Sequence, residues 1–181
     1  LLQSEGKPLV LVTCHRRENF GGPFEAICHL IKRMCDKYSE YQWVFPVHLN
    51  PNVQEPVHRI LAGITNLSLM PPVDYLTNLA FLSRAILVVS DSGGIQEEAP
   101  SFGVPVVVMR NHTERLEGVE AGFATLAGQS VGCIQKAITG WLDHPERREC
   151  LKSRTNPYGD GQAATRIAAI LTGYTTHEFN G

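Results

Sequence analysis

The sequence predicts a doubly wound α/β domain, a parallel sheet with helices on both faces. Three observations carry that expectation. Short, continuous apolar runs recur along the chain, each too short for a helix. Segments whose apolar residues repeat with the helical period lie between them. No Pro/Gly/Ser-rich linker, charge run or internal repeat divides residues 9–172. Strands alternating with helices build right-handed βαβ units around one parallel sheet.

Taken in order, "PLVLVT" (Pro8–Thr13) has the continuous apolarity of a strand covered on both faces. Pro23, favoured at a first helical position, is expected to open a helix whose apolar positions are Phe24, Ile27, Leu30, Ile31 and Met34. "QWVFPVH" (Gln42–His48) is a second strand, with Pro46 expected to end its pairing. "NVQEPVHRILAG" is a helix closed by Gly63. Asn66–Met70 is a third strand, and Asp74 caps the helix "DYLTNLAFLSRA". Ile86–Ser90 is a fourth strand, Gly94–Phe102 a helix with Gly103 after it, and Val104–Met109 a fifth strand. A short strand is expected at Phe123–Leu126, then helices at Val131–Leu142, Pro145–Ser153 and Gln162–Leu171. Residues 1–8 and 173–181 are expected as tails.

The bulk properties narrow the function. The 181 residues suit one well-buried domain or two small ones. Sixteen basic against eighteen acidic residues, a net charge of -2, argue against nucleic acid or an anionic membrane as main partner. No apolar run reaches the length of a membrane span, and no signal peptide is recognisable. The five cysteines are odd in number and form no CxxC pair. That disfavours a disulfide framework or a structural zinc and fits a reducing cytoplasm. Cys28 and Cys35 share a helix face and are expected as small buried residues. Neither metal nor cofactor is called for. The opening "LLQSEGKP" has no initiator Met, as expected of a fragment, although processing or tag removal has the same result.

In a doubly wound sheet, ligands bind beyond the carboxyl ends of the strands, so the loops there are the candidate site. In "DSGGIQEEAP", Ser92, Gly93 and Gly94 stand at a helix start. Unpaired backbone N–H groups and the helix dipole favour a phosphate there, and glycine lets it approach closely. Glu98, one turn further on, can accept bonds from ribose hydroxyls. The plainer alternative is a tight turn capped by Ser92 with two solvated glutamates. "HRREN" brings His15, Arg16, Arg17 and Glu18 past strand one, combining a proton donor with phosphate-gripping arginines; the alternative is a solvated basic loop. His48 follows strand two, with Asn50-Pro51 as a turn signal, and Arg115 follows strand five. A lone histidine there is more often structural; Arg115 can meet a diphosphate, and the alternative is a surface arginine. "NPYGDG" (Asn156–Gly161) is dense turn chemistry. The convergence of His15, His48, Ser92–Gly94 and Arg115 on one sheet edge is what favours a site.

"HRREN", "PVHLNPNV", "DSGGIQEEAPS", "TER" and "NPYGDGQA", in this order, closely resemble the C-terminal half of the bacterial non-hydrolysing UDP-N-acetylglucosamine 2-epimerases, over roughly residues 9–172. The resemblance implies a glycosyltransferase-B-like fold of two Rossmann-like domains, with a nucleotide sugar in the cleft between them. It implies interconversion of UDP-N-acetylglucosamine and UDP-N-acetylmannosamine through elimination of UDP to an enzyme-held 2-acetamidoglucal, then re-addition. By matched position, Ser92, Gly93 and Gly94 resemble the diphosphate turn, Glu98 the ribose glutamate, Arg115 the diphosphate arginine and His15 the active-site histidine. Arg16 and His48 match a second, activating UDP-sugar site of some bacterial members.

Three residues depart from the pattern. Asn78 stands where an aromatic near the uracil is frequent, Leu116 replaces the proline after "TER", and Cys14 replaces a small residue. The family's catalytic carboxylates come from the N-terminal domain, which this chain lacks. The expected partners are therefore UDP, UDP-N-acetylhexosamines and that missing domain, with the full-length protein a homodimer. The competing expectations are a UDP-sugar glycosyltransferase domain, against which "HRREN" and "NPYGDG" argue, and a non-catalytic UDP-sugar-binding module.

Overall fold

A computed structural model describes residues 6–179, so the expected tails at 1–8 and 173–181 lie partly outside the described residues. Six strands form one parallel sheet: β1 (Leu9–Thr13), β2 (Gln42–Pro46), β3 (Leu67–Met70), β4 (Ala85–Ser90), β5 (Val106–Val108) and β6 (Ala124–Leu126). Their spatial order is β3-β2-β1-β4-β5-β6, with every neighbouring pair parallel. The order reverses direction between β1 and β4. The crevice beyond their carboxyl ends is where such a sheet takes a ligand.

Two apolar clusters cover the two faces. One holds Val10, Val12, Trp43, Phe45 and Val107 of the strands against helix α1 (Gly22–Lys37), α2 (Pro51–Leu61), α6 (Val131–Leu142) and α7 (Pro145–Lys152). The other sets Leu9, Leu11, Val44, Val88 and Val106 against α3 (Tyr75–Arg84) and α4 (Gly93–Glu98). Alternate residues of β1 thus go to opposite clusters, which is why the strand is apolar throughout. Each fully buried aliphatic or aromatic side chain contributes roughly 1.5–3 kcal/mol. The helical period in α1 is fulfilled: Phe24, Ile27, Leu30, Ile31 and Met34 are all buried. Cys28 and Cys35 lie among them, and burial pushes both thiols up to about 12. Cys133 and Cys150 are exposed.

The boundaries differ from expectation where proline intervenes. The helix expected over Gly94–Phe102 is α4 followed by a 3-10 turn, Ala99–Phe102. Pro100 has no N–H to donate to the Gln96 carbonyl, so α-type bonding cannot continue. β5 is shorter than Val104–Met109, with Pro105 just before its start. Pro46 does pair in register with Met70, and one bond continues past it, from Val47 N to Met70 O at 2.8 Å. Asn50 caps α2 by accepting from Asn52 N at 2.9 Å, and Asp74 caps α3 by accepting from Thr77 N at 2.7 Å. The sequence reading missed α5 (Leu116–Glu120), whose five residues are too few to show a period. The last helix, α8 (Ala163–Leu171), buries none of its residues.

Candidate functional site

The loops after β1 and β4 are joined through one carboxylate. Asp91, fully buried, accepts from the backbone N–H groups of His15 and Arg16, from Asn19 Nδ2 at 2.9 Å and from the Cys14 thiol at 3.1 Å. Without those donors an ionised side chain there would carry a large desolvation cost. Asn19, also fully buried, is held in turn by Gln129 Nε2 at 3.1 Å. The strand-to-strand seam is closed by Thr13 and Ser90, whose hydroxyls lie 2.7 Å apart. The polar loop that opens with His15 is therefore tied to the sheet end by two buried polar residues. Cys14, the departure beside the cleft, is not an exposed thiol: burial, and then the Asp91 charge, push it well above the ordinary range.

His15 and His48 stack, their ring centroids 5.7 Å apart. His48 Nδ1 accepts from Asn50 N at 3.1 Å, so its proton in the neutral form is on Nε2. Both histidines line a cleft of about 290 Å³ at the strand ends, together with Ser92 and Asn78. The convergence expected of His15, His48 and Ser92 is observed. Arg16 lies beside them, with its backbone on Asp91.

The start of α4 is built differently from the simple capped turn. Ser92 is the N-cap residue, but its side chain makes no capping bond. Its N–H is spent on Ser90 Oγ at 2.9 Å, and no side chain caps the N–H groups of the first turn. Neither Gly93 nor Gly94 has a positive φ. Room is what Gly93 supplies. A Cβ on Gly93 would come within 3.0 Å of Arg115 Cζ, while one on Gly94 would meet nothing nearer than Glu98 Oε1 at 4.0 Å.

The paired glutamates have separate employment. Glu97 accepts from Arg115 Nε at 2.8 Å, so it is engaged across the site rather than turned away. Glu98 is half-buried beside Gly94, and burial, then the Glu97 charge, raise its pKa. Arg115 also meets Glu114 at 3.1 Å, and Glu114 pairs with the buried Arg110, which lies 3.5 Å from Glu18 of the first loop. The Arg110 guanidinium holds the Glu114 carboxyl at about 2.

Residues that sequence reasoning left unassigned position these groups. Gln96, buried, donates to Ser92 O and accepts from Thr113 Oγ1 at 2.8 Å; the Thr113 hydroxyl in turn accepts from Arg115 N. The "NPYGDG" turn is a clamp. Asn156 Nδ2 donates to Glu97 O, and the Tyr158 hydroxyl donates to Arg115 O at 3.0 Å while accepting from Gly118 N at 2.9 Å. A Cβ on Gly118 would lie 2.5 Å from that hydroxyl, so glycine is required there for space. Leu116, the second departure, is the first residue of α5, a position where no helix bond requires the N–H that proline lacks. No group of three or more metal-ligating side chains occurs among the described residues. Among them, too, no helix is long and apolar enough to cross a membrane.

A profile described as UDP-N-acetylglucosamine 2-epimerase matches residues 1–172. The chain belongs to the UDP-N-acetylglucosamine 2-epimerase family. The UDP-N-acetylglucosamine 2-epimerase of Yersinia pestis is 50% identical over 165 residues, covering 91% of this chain and 44% of that protein. The crystal structure of the UDP-GlcNAc 2-epimerase from Neisseria meningitidis bound to UDP-GlcNAc superposes with a TM-score of 0.87 at 40% identity, over 93% of this chain and 46% of that one. The fold alone is shared with Escherichia coli heptosyltransferase WaaC, at a TM-score of 0.56 and 18% identity, over 80% of this chain and 46% of that one. This epimerase-family chain is thus one half of a glycosyltransferase-B-like fold, and it spans less than half the length of the relatives it matches.

Proposed function

We propose that this chain is the nucleotide-binding half of an epimerase interconverting UDP-N-acetylglucosamine and UDP-N-acetylmannosamine, and that by itself it binds UDP without epimerising. One observation carries the reading. Among the described residues Glu98 has no hydrogen-bonding partner; it stands beside Gly94, on a turn whose N–H groups no side chain caps, while Glu97 is spent on Arg115. A diphosphate on Ser92, Gly93 and Gly94 puts a ribose one turn along, where Glu98 accepts from its hydroxyls. The 9–172 unit is then the UDP-binding domain, in a cytoplasmic protein.

In the elimination, the C2 proton leaves to a base, the C1–O bond breaks and UDP departs from a 2-acetamidoglucal; re-addition to the other face completes the inversion. Charge gathers on the departing diphosphate. His15 and Arg115 are the groups that stabilise it. Arg115 is already aimed at the turn by Glu97, and its release toward a phosphate exchanges one anion for another. Arg16 and His48 form the second UDP-sugar site. Asn78, on the cleft wall, offers the uracil an amide in place of a ring to stack on.

The base for C2 then comes from the half of the fold that this chain does not span: proton abstraction needs a base within hydrogen-bond reach, and here Glu97 is bonded to Arg115, Asp91 is buried and Glu98 is taken by the ribose. The full-length protein is a homodimer, and its other half covers α8, whose Ile167, Ile170 and Leu171 are exposed. The test is a proton NMR time course of this chain with UDP-N-acetylglucosamine in D2O. We expect UDP and UDP-N-acetylglucosamine to bind with similar affinity, free N-acetylglucosamine hardly at all, and no deuterium at C2. Deuterium incorporation or UDP-N-acetylmannosamine above an enzyme-free blank shows instead that this half carries its own base.

A further inference from the structure

The side chain beneath His15 has a chemistry of its own. Oδ2 of the buried Asp91 is fixed as an acceptor by three convergent donors: Arg16 N at 2.9 Å, Asn19 Nδ2 at 2.9 Å and Cys14 Sγ at 3.1 Å. The His15 N–H is shared between both oxygens, at 3.2 Å to Oδ1 and 3.1 Å to Oδ2. Among the described residues one further group faces Oδ1, the His15 ring, with Nδ1 at 3.5 Å. That separation is long for a formed bond. Such contacts in unliganded sites tighten once a ligand is in place.

We propose that Asp91 is a positioning residue for His15: it holds the imidazole with its proton on Nδ1, so that Nε2 is the nitrogen offered to the cleft. A carboxylate can only accept, so the ring nitrogen facing it must donate. The second nitrogen of a histidine takes whichever state the first leaves it, and a wrong tautomer disables an otherwise intact ring. The role assigned to Nε2 rests on the nucleotide reading above; the tautomer itself does not.

The donor set makes the proposal sharp. In Asp91→Asn the shape is kept, but the three donors hold the amide oxygen at the Oδ2 place. The NH2 group then occupies the Oδ1 place and donates toward His15 Nδ1. The ring must accept there, and its proton moves to Nε2. Cys14→Ala removes one donor and leaves the other two, so the tautomer stays.

The experiment is two-bond 1H–15N correlation NMR of this chain with 15N-labelled histidine, at a pH where His15 is neutral. His15→Gln identifies its signals. We expect the Nδ1–H tautomer in the wild type and in Cys14→Ala, and inversion to Nε2–H in Asp91→Asn. An Nε2–H tautomer or an even mixture in the wild type overturns the proposal, and so does a folded Asp91→Asn with the tautomer unchanged. If Asp91→Asn does not fold, the wild-type spectrum decides. UDP is titrated into the same samples. UDP failing to bind while Nδ1–H holds supports the Asp91 role and counts against the nucleotide reading; UDP binding to a wild type with Nε2–H does the reverse.

Discussion

At the scale of single residues, two adjacent glutamates illustrate how position on a short helix divides labour. Glu97 and Glu98 differ by one step, about 100° of helix rotation. One meets Arg115 at 2.8 Å, the other stands beside Gly94. Glu98→Ala is expected to weaken UDP binding by ~1.5–3 kcal/mol, the net worth of hydrogen bonds to a charged group. Calorimetry on the folded variant with unchanged affinity removes Glu98 from the site. Glu114 carries a different prediction. Its carboxyl is held at about 2 against an ordinary 4.5, chiefly by bonds from Arg110. A depressed carboxylate contributes stability that is present above the unfolded value and lost as pH falls through the folded one. The stability difference between wild type and Glu114→Gln should therefore hold from neutral pH to about 4.5 and shrink toward about 2. Urea melts across that window check it, and a difference that grows on acidification contradicts it.

At the scale of elements, the site depends on how α4, α5 and the "NPYGDG" turn are fastened together. Tyr158 is the rivet. Its hydroxyl joins the Arg115 carbonyl and the Gly118 N–H, and burial raises its pKa, as for a phenol kept from water. Tyr158→Phe leaves the Gly118 N–H without its acceptor and strips the Arg115 carbonyl of its side-chain donor. The expected loss is about 1–3 kcal/mol of stability, with a parallel loss of UDP affinity because Arg115 is no longer anchored from behind. Chemical denaturation and calorimetry on one preparation separate the two effects; full stability in the variant shows the clamp to be incidental. Asp160, which pairs with Arg166 at 2.6 Å and is held below the usual carboxylate range by it, ties the same turn to α8.

At the scale of the whole molecule, a complete six-stranded sheet with two covered faces ends in a helix that covers nothing. Ile167, Ile170 and Leu171 are 58%, 64% and 81% exposed, and Tyr174 beyond them is 72% exposed. Contiguous exposure of this kind marks a surface meant for contact. Because these residues bury nothing within the chain, Ile167→Ser with Ile170→Ser should change its stability by no more than about 0.5 kcal/mol. A thermal melt tests this, and a large drop in midpoint shows that α8 packs on the domain in solution.

Much of this architecture was legible in the chain itself. Strand and helix periods are local properties, so the alternation of apolar runs in β1 through β5 with the amphipathic pattern of α1 announced a parallel sheet, and the sheet rule alone directed attention to His15, His48, Ser92 and Arg115. Caps such as Asp74 were readable for the same reason, since the cap and the N–H it accepts from are three residues apart. What the sequence could not declare is pairing across long separations. Asp91 lies 76 residues from the His15 N–H it accepts, and Tyr158 lies 43 from the Arg115 carbonyl it holds. Nothing in a window of neighbours distinguishes a buried aspartate that organises a loop from a polar turn residue, or the one glutamate left free from the one already spent. Those roles depend on which donors the fold brings within reach. Only the assembled sheet, which sets the ends of β1 and β4 side by side, decides that.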